Sequence, residues 1–300
     1  MIYKYDQLSQ RISYNQALKI NKYENKYFHI GQLKLLFCEI FFISKFLHKN
    51  PIKVVYVGAG SEGFHNTLLA DLFPSIKFDL WDPGQFNVEK RPNIEIFNNF
   101  FTDIDAKEYA KQNSSKILFM SDIRNLEIAE YKKGDDDSNR KMDQIVINDM
   151  DNQMKWTKII NPMASYLKFR LPYFTDKFEY FSGTIYLQPY SPSSTENRII
   201  VTNYSELKTY NVKEYDEKMS YFNFFIRPVI KYKKWKNIMN KHKIINNWDN
   251  SYAFHILHYY LLKTKKKTDD DNVAKLFMRC INFYNKLNDR KTARLFSEIE

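Results

Sequence analysis

Cysteine is scarce in this sequence, with only Cys38 and Cys280 among 300 residues. The two lie far apart, and neither belongs to a CxxC motif or to a cluster with histidine. A disulfide framework or a structural zinc site needs more cysteines at closer spacing. The sequence therefore argues against both and predicts a protein of a reducing compartment.

Long apolar runs are missing as well. The longest, LLFCEIFFIS at residues 35–44, contains Glu39 and is too short to span a bilayer. The segment MIYKYDQLSQRISYNQ, residues 1–16, lacks the apolar core of a secretory signal. We therefore expect a soluble, intracellular protein that has no membrane partner.

Glycine is also rare, with seven residues, whereas aromatic residues make up 17% of the chain and the net charge is +11. Three hundred residues suffice for one large domain with a sizeable core. A positive field favours an anionic partner, such as nucleic acid or a membrane surface. Composition alone does not choose between these partners.

Strand and helix patterns alternate through the middle of the chain. The predicted strands are residues 53–58, 76–82, 94–100, 116–122 and 165–171. Helices are predicted at 63–72 and 105–112, and a polar loop at 134–141 precedes a third helix that ends near 158. This alternation predicts an α/β fold with a mostly parallel sheet and with ligands at the carboxyl ends of its strands.

The flanking segments are mainly helical. A late antiparallel hairpin is predicted over residues 179–203, and helices are predicted at 31–47, 213–226, 249–263 and 269–286. No internal repeat or long Pro/Gly linker divides the chain. We interpret residues 1–300 as one domain, composed of a helical N-terminal part (1–50), an α/β core (51–226) and a helical, basic C-terminal extension (227–300).

The segment GAGSEG, residues 58–63, follows a predicted strand and opens a helix, as in the G-x-G-x-x-G pattern. Glycines allow a tight turn and close approach of a ligand, and the helix N-terminus favours negative charge. Asp82 ends the next strand, where an acid can bind a ribose diol. A nicotinamide nucleotide, S-adenosylmethionine and a ligand-free turn all remain open at this point.

The segment NPMASYLKFRLPY, residues 161–173, has the alternation of a strand and places Lys168 on its polar face. Taken alone, Lys168 is a solvated charge. Asp122 after the fourth strand, Lys34 in an apolar helix and Glu196 in a loop also have ordinary explanations as cap, surface and loop residues.

Several segments together resemble one family. GQLKLL (31–36), the glycine turn (58–63), SDIR (121–124), NPMASYLKFRLPY (161–173) and LQPYSPSSTENR (187–198) occur in the order found in poxvirus-type cap-specific mRNA 2'-O-methyltransferases. Members of that family also serve as the small, regulatory subunit of poly(A) polymerase.

The resemblance implies a Rossmann-like, S-adenosylmethionine-dependent methyltransferase. The implied reaction methylates the ribose 2'-hydroxyl of the first transcribed nucleotide in 7-methylguanosine-capped viral mRNA. The implied source is a large DNA virus, with the protein in the host cytoplasm or packaged in the virion. The alternative is a catalytically weak or inactive cap-binding protein that acts in polyadenylation or translation initiation. A viral poly(A) polymerase catalytic subunit or a translation factor is the expected protein partner.

The same resemblance implies a catalytic lysine–aspartate–lysine–glutamate set at Lys34, Asp122, Lys168 and Glu196. A ribose hydroxyl is a poor nucleophile at neutral pH, so a nearby base must accept its proton. We expect Lys168 to be that base, because burial and the second cation Lys34 favour a neutral amine. Asp122 and Glu196 are expected to orient the two amines.

For the cofactor, the resemblance adds Gln32 and Tyr56 to Gly58, Gly60, Gly63, Asp82 and Asp122. Two departures from the family pattern alter the expected pocket. Glu62 lies in the glycine turn, and Pro83-Gly84-Gln85 follow Asp82 where the family has Gly-Arg.

For the cap, the resemblance implies an aromatic stack with acids at the edge of the guanine. Stacking favours a cationic base between electron-rich rings. The implied residues are Tyr14, Tyr173, Phe174, Asp176 and Asp216, and Phe174 or Tyr190 is expected to replace a stacking ring that the shortened segment PSSTE lacks.

Basic residues also cluster in the C-terminal extension. KYKKWKNIMNKHK, residues 231–243, interleaves lysines with Tyr232 and Trp235, which is typical of an RNA-contact segment and equally of a solvated basic loop. KTKKKTDDD, residues 263–271, is interpreted as a charged, exposed connection.

Overall fold

A seven-stranded sheet forms the centre of the protein. The computed structural model describes residues 3–20, 30–60, 63–124, 136–286 and 295–296. The strands are β1 (Lys53–Val57), β2 (Lys77–Trp81), β3 (Ile94–Phe97), β4 (Ile117–Ser121), β5 (Ala164–Phe169), β6 (Lys177–Phe181), β7 (Thr184–Tyr186), β8 (Asn197–Val201) and β9 (Leu207–Asn211).

The strand order of the main sheet is β3-β2-β1-β4-β5-β8-β7. Strands β1 to β5 are parallel, whereas β8 is antiparallel to both β5 and β7. The order reverses between β1 and β4, and in such sheets ligands bind outside the carboxyl ends of the strands at this point. The predicted Rossmann-like fold, mostly parallel with a late antiparallel hairpin, is confirmed.

Helices cover the sheet on both sides. Within the described residues the α-helices are α1 (Tyr14–Ile20), α2 (Gly31–Phe46), α3 (His65–Leu72), α4 (Asp103–Ala110), α5 (Asp136–Ile160), α6 (Val212–Tyr221), α7 (Lys236–Lys241), α8 (Trp248–Lys263) and α9 (Asp270–Asn285). Helix α2 packs against both α3 and α8, so little of its surface is exposed. This explains why its sequence is apolar on almost every face.

The hairpin prediction over residues 179–203 is only partly correct. Strands β7 and β8 do pair, but β6 leaves the main sheet and pairs with β9 in a separate two-stranded sheet. Gly183 lies where the chain changes sheets, and a Cβ there would lie 2.6 Å from the carbonyl oxygen of Ile200. The close approach of the two backbones explains why a glycine occupies the crossing point.

The polar loop predicted at 134–141 is also corrected, because α5 begins at Asp136. Residues 134–135 lie outside the described residues. Asp137 occupies the first turn, where the positive end of the helix dipole stabilises an acidic side chain. The run of acids that looks like a loop in sequence therefore starts the longest described helix.

The C-terminal extension contributes to the core. Trp235, Trp248 and Phe277 are fully buried, and the hydroxyl of Tyr260 donates a hydrogen bond of 2.9 Å to the carbonyl of Leu72 at the end of α3. The interpretation of Trp235 as an RNA-stacking ring is therefore wrong, since this ring packs in the interior. No described helix is both long and apolar enough to cross a membrane.

Candidate active site

Four separate elements bring the predicted catalytic residues to one edge of the sheet. Lys34 lies in the first turn of α2, Asp122 directly follows β4, Lys168 lies near the end of β5, and Glu196 immediately precedes β8. The sequence separations are long, but all four positions lie around the carboxyl ends of β4 and β5. This is the edge beside the reversal of strand order, where a ligand is expected.

The two lysines are each held by one acid of the set. Lys168 Nζ lies 2.9 Å from Asp122 Oδ1 and donates a hydrogen bond of 3.2 Å to the carbonyl oxygen of Asp122. Lys34 Nζ lies 3.6 Å from Glu196 Oε1. Both lysines are only 8% exposed, so neither is the solvated charge that its sequence context suggested.

Two arginines complete the cluster. Arg198, 1% exposed, pairs with Asp122 and lies 3.5 Å from Glu196, and Arg124 Nη2 lies 3.1 Å from Glu196 Oε2. Arg198 stands opposite Lys168 in the β5–β8 register. Neither arginine was predicted from the sequence, although Arg124 lies in the motif SDIR and Arg198 in LQPYSPSSTENR.

The charges of the cluster determine which groups are ionised. Burial raises the pKa of Asp122, but Arg198 and the two lysines outweigh burial and hold the pKa below its usual value. Burial likewise opposes ionisation of Glu196, yet the surrounding cations keep its pKa well below the ordinary range. Both acids are therefore carboxylates at neutral pH.

The pKa of Lys34 is lowered as well, but for a lysine this favours the neutral form. Burial and the neighbouring guanidinium of Arg198 lower the pKa of Lys34, and this outweighs the attraction of Glu196 and Asp122. A lysine in such a setting gives up a proton more easily than a solvated one. The cluster thus combines ionised acids with an amine that is destabilised as a cation.

A side-chain amide fixes the backbone that carries Lys168. Gln153, buried in α5, accepts a hydrogen bond from the backbone N–H of Lys168 and donates one to its carbonyl oxygen, each at 3.1 Å. This bidentate contact holds the strand at the position of the amine. A reactive group needs such support if its geometry is to stay fixed.

The glycine turn lies beside this cluster. Gly58 and Gly60 have φ angles of +75° and +80°, which favour glycine. A Cβ on Gly58 would lie 2.7 Å from the backbone nitrogen of Ile123, so glycine lets the turn approach the Asp122 segment closely. A Cβ on Gly60 would meet nothing within 4 Å, which leaves open space above this residue.

Asp82 supports the turn from the neighbouring strand. Its two carboxylate oxygens accept backbone N–H groups of Gly60 at 3.0 Å and Gly84 at 2.8 Å. Each oxygen keeps a second lone pair, so the acid can still receive a ligand hydroxyl. Gly63 has an ordinary φ, but a Cβ there would lie 2.4 Å from the carbonyl of Ala59. Glu62 lies outside the described residues.

Gln32 and Tyr56 belong to one buried hydrogen-bonded chain. The Tyr56 hydroxyl donates to Glu39 at 2.7 Å, Glu39 lies 3.0 Å from His65 Nε2, and His65 Nδ1 contacts the side-chain oxygen of Gln32. Tyr56 is 2% exposed, and burial with the adjacent Glu39 raises its pKa well above the usual value. Its hydroxyl therefore stabilises the interior, while Gln32 stands at the end of the chain that is less buried.

Two cavities open next to the cluster and share a wall. The inner cavity, about 450 Å³, is lined by Lys34, Asn139, Met142, Arg170, Tyr173, Pro192, Ser194, Thr195 and Glu196. The outer cavity, about 470 Å³, is lined by Tyr14, Asn15, Tyr173, Ser193, Ser194, Thr195, Asp216, Ser220, Asn223 and Phe224. Tyr173, Ser194 and Thr195 line both, so one ligand can reach from the outer cavity to the charged cluster.

The outer cavity combines aromatic faces with an acid. Tyr173 is 49% exposed, its hydroxyl is 3.1 Å from Thr195 Oγ1, and its other contacts include the Arg170 guanidinium 4.3 Å from the ring centroid. Tyr14 packs edge-on against Phe224. Burial raises the pKa of Asp216 to about 7, and its Oδ1 atom is buried without a hydrogen-bond partner among the described residues.

Comparison with known proteins now identifies the family. The model of a family described as Poly A polymerase regulatory subunit matches residues 1–287 of the chain. The chain belongs to this family. Its resemblance to that family, predicted from ordered motifs, is confirmed.

Curated relatives align with most of the chain. The cap-specific mRNA (nucleoside-2'-O-)-methyltransferase of Fowlpox virus (strain NVSL) is 26% identical over an alignment of 287 positions, which covers 88% of this chain and 86% of the relative. The protein of the same name from Myxoma virus (strain Lausanne) is 28% identical over an alignment of 285 positions, which covers 87% of this chain and 76% of the relative.

One solved structure resembles part of the chain. It is titled as bluetongue virus VP4, a multifunctional RNA-capping production line, and aligns with a TM-score of 0.42 at 14% identity. The alignment covers 61% of this chain and 30% of that one.

The predicted cap residues of this poly(A) polymerase regulatory-subunit family member do not all meet. Tyr14, Tyr173 and Asp216 share the outer cavity, but Phe174 does not line it and lies under the guanidinium of Arg140, 4.6 Å from the ring centroid. Asp176 is exposed, and its carbonyl oxygen accepts a hydrogen bond from Val212. Neither residue is among those that line the cavity.

Tyr190 is a clearer correction. It is 1% exposed, and its hydroxyl donates to Asn250 at 2.8 Å in the interior, so it cannot supply a stacking ring. Phe224 was not predicted from the sequence, but it lines the outer cavity and packs against Tyr14. It lies in a π-helical turn, Phe222–Ile226, that follows α6, and no motif points to it.

Proposed function

We propose that this protein transfers a methyl group from S-adenosylmethionine to the ribose 2'-hydroxyl of the first transcribed nucleotide in 7-methylguanosine-capped viral mRNA. The observation that carries the proposal is the convergence of Lys34, Asp122, Lys168 and Glu196 between the glycine turn and two connected cavities. A nicotinamide-dependent enzyme, which the glycine pattern alone allowed, gives these four residues no role.

The residues around the glycine turn fit the proposed cofactor. The open space above Gly60 admits a ligand, the backbone of the turn allows close approach, and Asp82 retains acceptor capacity for a ribose hydroxyl. Gln32 adds a polar group at the same edge of the sheet. When bound, S-adenosylmethionine supplies a methyl group activated by its sulfonium.

Lys168 is the proposed general base. In its neutral form the amine accepts the proton of the 2'-hydroxyl as the oxygen attacks, and the amine becomes an ammonium ion. Asp122 holds the amine through both its carboxylate and its carbonyl oxygen and stabilises the ammonium that forms. Gln153 fixes the strand, so the base stays in position during the transfer.

The outer cavity is the proposed cap site. Tyr173 and Tyr14 offer ring faces to the cationic 7-methylguanine, which favours contact with electron-rich aromatics. The buried Oδ1 atom of Asp216 can accept a guanine N–H group, which would satisfy an otherwise unpaired acceptor. Tyr173 then lies between the cap and the first nucleotide, because it lines both cavities.

Methyl transfer from labelled S-adenosylmethionine to matched capped and uncapped RNA tests this proposal. We expect label in the ribose of the first nucleotide of capped RNA and little label in uncapped RNA. Label in the base, or equal label in both RNAs, would contradict the assigned reaction or the assigned cap site.

A second function is favoured by family membership. Because the family is described as Poly A polymerase regulatory subunit, we also propose that the chain associates with the catalytic subunit of a viral poly(A) polymerase. The alternative of a cap-binding protein without methyl transfer is not favoured by the curated relatives, which are named as methyltransferases. Calorimetric titration with S-adenosylmethionine separates these cases, since tight cap binding without cofactor binding would support the binding-only function.

A further inference from the structure

The charge of the chain is concentrated in its C-terminal extension. Residues 227–300 contain 17 lysines and arginines and seven acids, a net charge of +10 out of the total of +11. Residues 1–226, which supply the proposed catalytic and cap-binding groups, are almost neutral. The long-range attraction of a polyanion therefore acts mainly on the extension.

Helix α9 presents part of this charge as a regular stripe. Lys275, Arg279, Asn282 and Lys286 recur at spacings of four, three and four residues and are all exposed, with Lys286 at the C-cap. The opposite face of α9 is apolar and buried. Among the described residues, no acid forms an ion pair within 4.0 Å of any of the three cations.

The stripe borders a groove, and we call this feature the α9 groove. It consists of two cavities, of about 550 and 320 Å³, that share Lys275 and Arg279. The larger is lined by Leu68, Asp71, His242, Lys275, Met278, Arg279, Asn282, Phe283 and Lys286. The smaller is lined by Leu72, Tyr260, Leu261, Lys266, Lys267, Asn272, Lys275, Leu276 and Arg279.

The α9 groove lies away from the catalytic cluster. Helix α3 returns the chain from the carboxyl end of β1 to the amino end of β2, and its last residues, Asp71 and Leu72, contribute to the groove walls. Eight helical residues extend about 12 Å. Among the residues that the structure describes, none lines both the α9 groove and either the inner or the outer cavity.

The chemistry of the groove matches a single strand of nucleic acid. Cations along one wall can contact successive phosphates, and half-buried Phe283 and Met278 give the larger cavity an apolar surface for a base. The one acid of the lining, Asp71, is already paired with Arg91 at 2.7 Å. A concave groove suits a strand with protruding bases better than it suits a flat membrane surface.

We propose that the α9 groove is a second RNA-binding surface, which holds a single-stranded segment by its phosphates and bases at a distance from the catalytic residues. This goes beyond the proposed methyl transfer and does not depend on it. The consequence is that RNA affinity has a component that neither cap analogues nor cofactor compete for.

The test compares the double variant Lys275→Ala/Arg279→Ala with the control Lys107→Ala/Lys208→Ala. The control removes two exposed lysines from α4 and β9, outside both cavities and the α9 groove. Binding of an uncapped oligouridylate of about 20 nucleotides is measured over a range of salt concentrations, with cap analogue present in excess. Thermal unfolding of each variant checks that the fold is retained.

We expect the α9 variant to bind the oligouridylate more weakly and with a slope of log K against log salt that is about 1.4 less steep, the effect of two lost phosphate contacts on a single strand. The control should keep a slope closer to that of the wild type.

Equal slopes for the two variants would overturn the proposal. It would also be overturned if the α9 variant binds RNA as the wild type does but no longer binds phosphatidylserine vesicles. The two proposals can also fail separately. If the wild type transfers no methyl group while the α9 variant and the control variant differ in slope as expected, the proposed methyl transfer is refuted and the RNA-binding surface is supported.

Discussion

At the scale of the residue, each functional side chain owes its properties to partners far away in sequence. Lys168 is held by Asp122, and that acid is held in turn by Arg198, so that one carboxylate contacts two cations. Removing a member of a buried charge cluster leaves the remaining charges uncompensated. Variants at this cluster should therefore be chosen to separate charge from proton transfer.

Lys168→Arg is the sharpest such variant. Arginine keeps the positive charge near Asp122 but its guanidinium does not lose a proton in proteins, so it cannot act as a base. We expect the rate of methyl transfer to capped RNA to fall by roughly 10² to 10⁴, the usual contribution of general base catalysis. Single-turnover transfer from labelled S-adenosylmethionine measures this rate.

Binding controls keep that experiment interpretable. The affinities of Lys168→Arg for S-adenosylmethionine and for a cap analogue should stay within a few fold of those of the wild type, because neither proposed site depends on this amine. Full methyl transfer by the arginine variant would show that Lys168 acts only as a charge.

Asp216 allows a prediction about pH and stability. The pKa of its buried carboxyl is about 7 in the folded chain, against about 3.9 for an unfolded aspartate. Between these values the folded state keeps a proton that the unfolded state has lost, so the free energy of unfolding falls as pH rises from about 4 to about 7. The fall attributable to this group is roughly 3 kcal/mol for the unliganded protein.

Asp216→Asn isolates that contribution, since the amide is similar in shape and does not titrate. Denaturant unfolding at pH 5 and pH 7 should show a larger loss of stability for the wild type than for the variant. Parallel pH profiles for the two proteins would contradict the raised pKa of Asp216.

Much of the candidate site could be predicted from the sequence, and the residues that could not be predicted have physical reasons in common. Lys34, Asp122, Lys168 and Glu196 were predicted because motif order carries information about residues that meet at one sheet edge. Arg198 was missed because its role comes from cross-strand pairing with Lys168, and sequence alone does not define that register. Tyr190 was misjudged because nothing local distinguishes a buried ring from an exposed one.

At the scale of the element, the glycine turn contains two positions whose backbone conformation favours glycine. Gly58 and Gly60 share a positive φ, but only Gly58 is pressed against the backbone that leads into Asp122 and Ile123. The two positions thus have the same conformational requirement and different surroundings. This makes them a matched pair for testing what the close approach contributes.

Gly58→Ala should destabilise the protein more than Gly60→Ala does. Both variants incur the strain of a left-handed residue, about 1–2 kcal/mol, but only the Gly58 variant also forces its Cβ against the Ile123 segment. Urea unfolding measures the two losses. Equal losses of stability would show that the backbone of Asp122 and Ile123 shifts away from the new Cβ without a free-energy cost. The rate of methyl transfer by Gly58→Ala would then report whether this shift also displaces the Asp122 carboxylate.

Element types were predictable, whereas pairings and boundaries were less so. Strands β1, β2 and β4 follow from short runs of buried residues, and α2, α8 and α9 follow from helical periodicity. The pairing of β6 with β9 was not predicted, because the sequence of a strand does not show which other strand it pairs with. The start of α5 was missed because a run of acids favours both a loop and a helix N-terminus.

At the scale of the whole molecule, the C-terminal extension is joined to the cavity walls by buried polar contacts. Arg227 Nη2 lies 2.7 Å from Asp249 Oδ1 and donates to the carbonyl of Ser191 at 3.0 Å. Asp249 Oδ1 also accepts the backbone N–H of Tyr190 at 2.7 Å. The segment that follows, residues 192–196, lines both cavities.

The interpretation of residues 1–300 as one domain stays a prediction, as does location in the host cytoplasm.

Asp249→Ala tests whether the extension and the cavity walls form one cooperative unit. The substitution leaves Arg227 buried without its acid and frees the backbone of Tyr190, and breaking a buried ion pair in this way costs about 3–5 kcal/mol. We expect the whole calorimetric transition to shift to lower temperature while remaining single, together with weaker binding of a cap analogue.

Asp270→Ala, at an exposed position at the start of α9, serves as the control and should shift the transition little. Two separate transitions in the wild type, or loss of only the earlier one in Asp249→Ala, would show that the extension unfolds on its own. The outer cavity would then owe its shape to the α/β core alone.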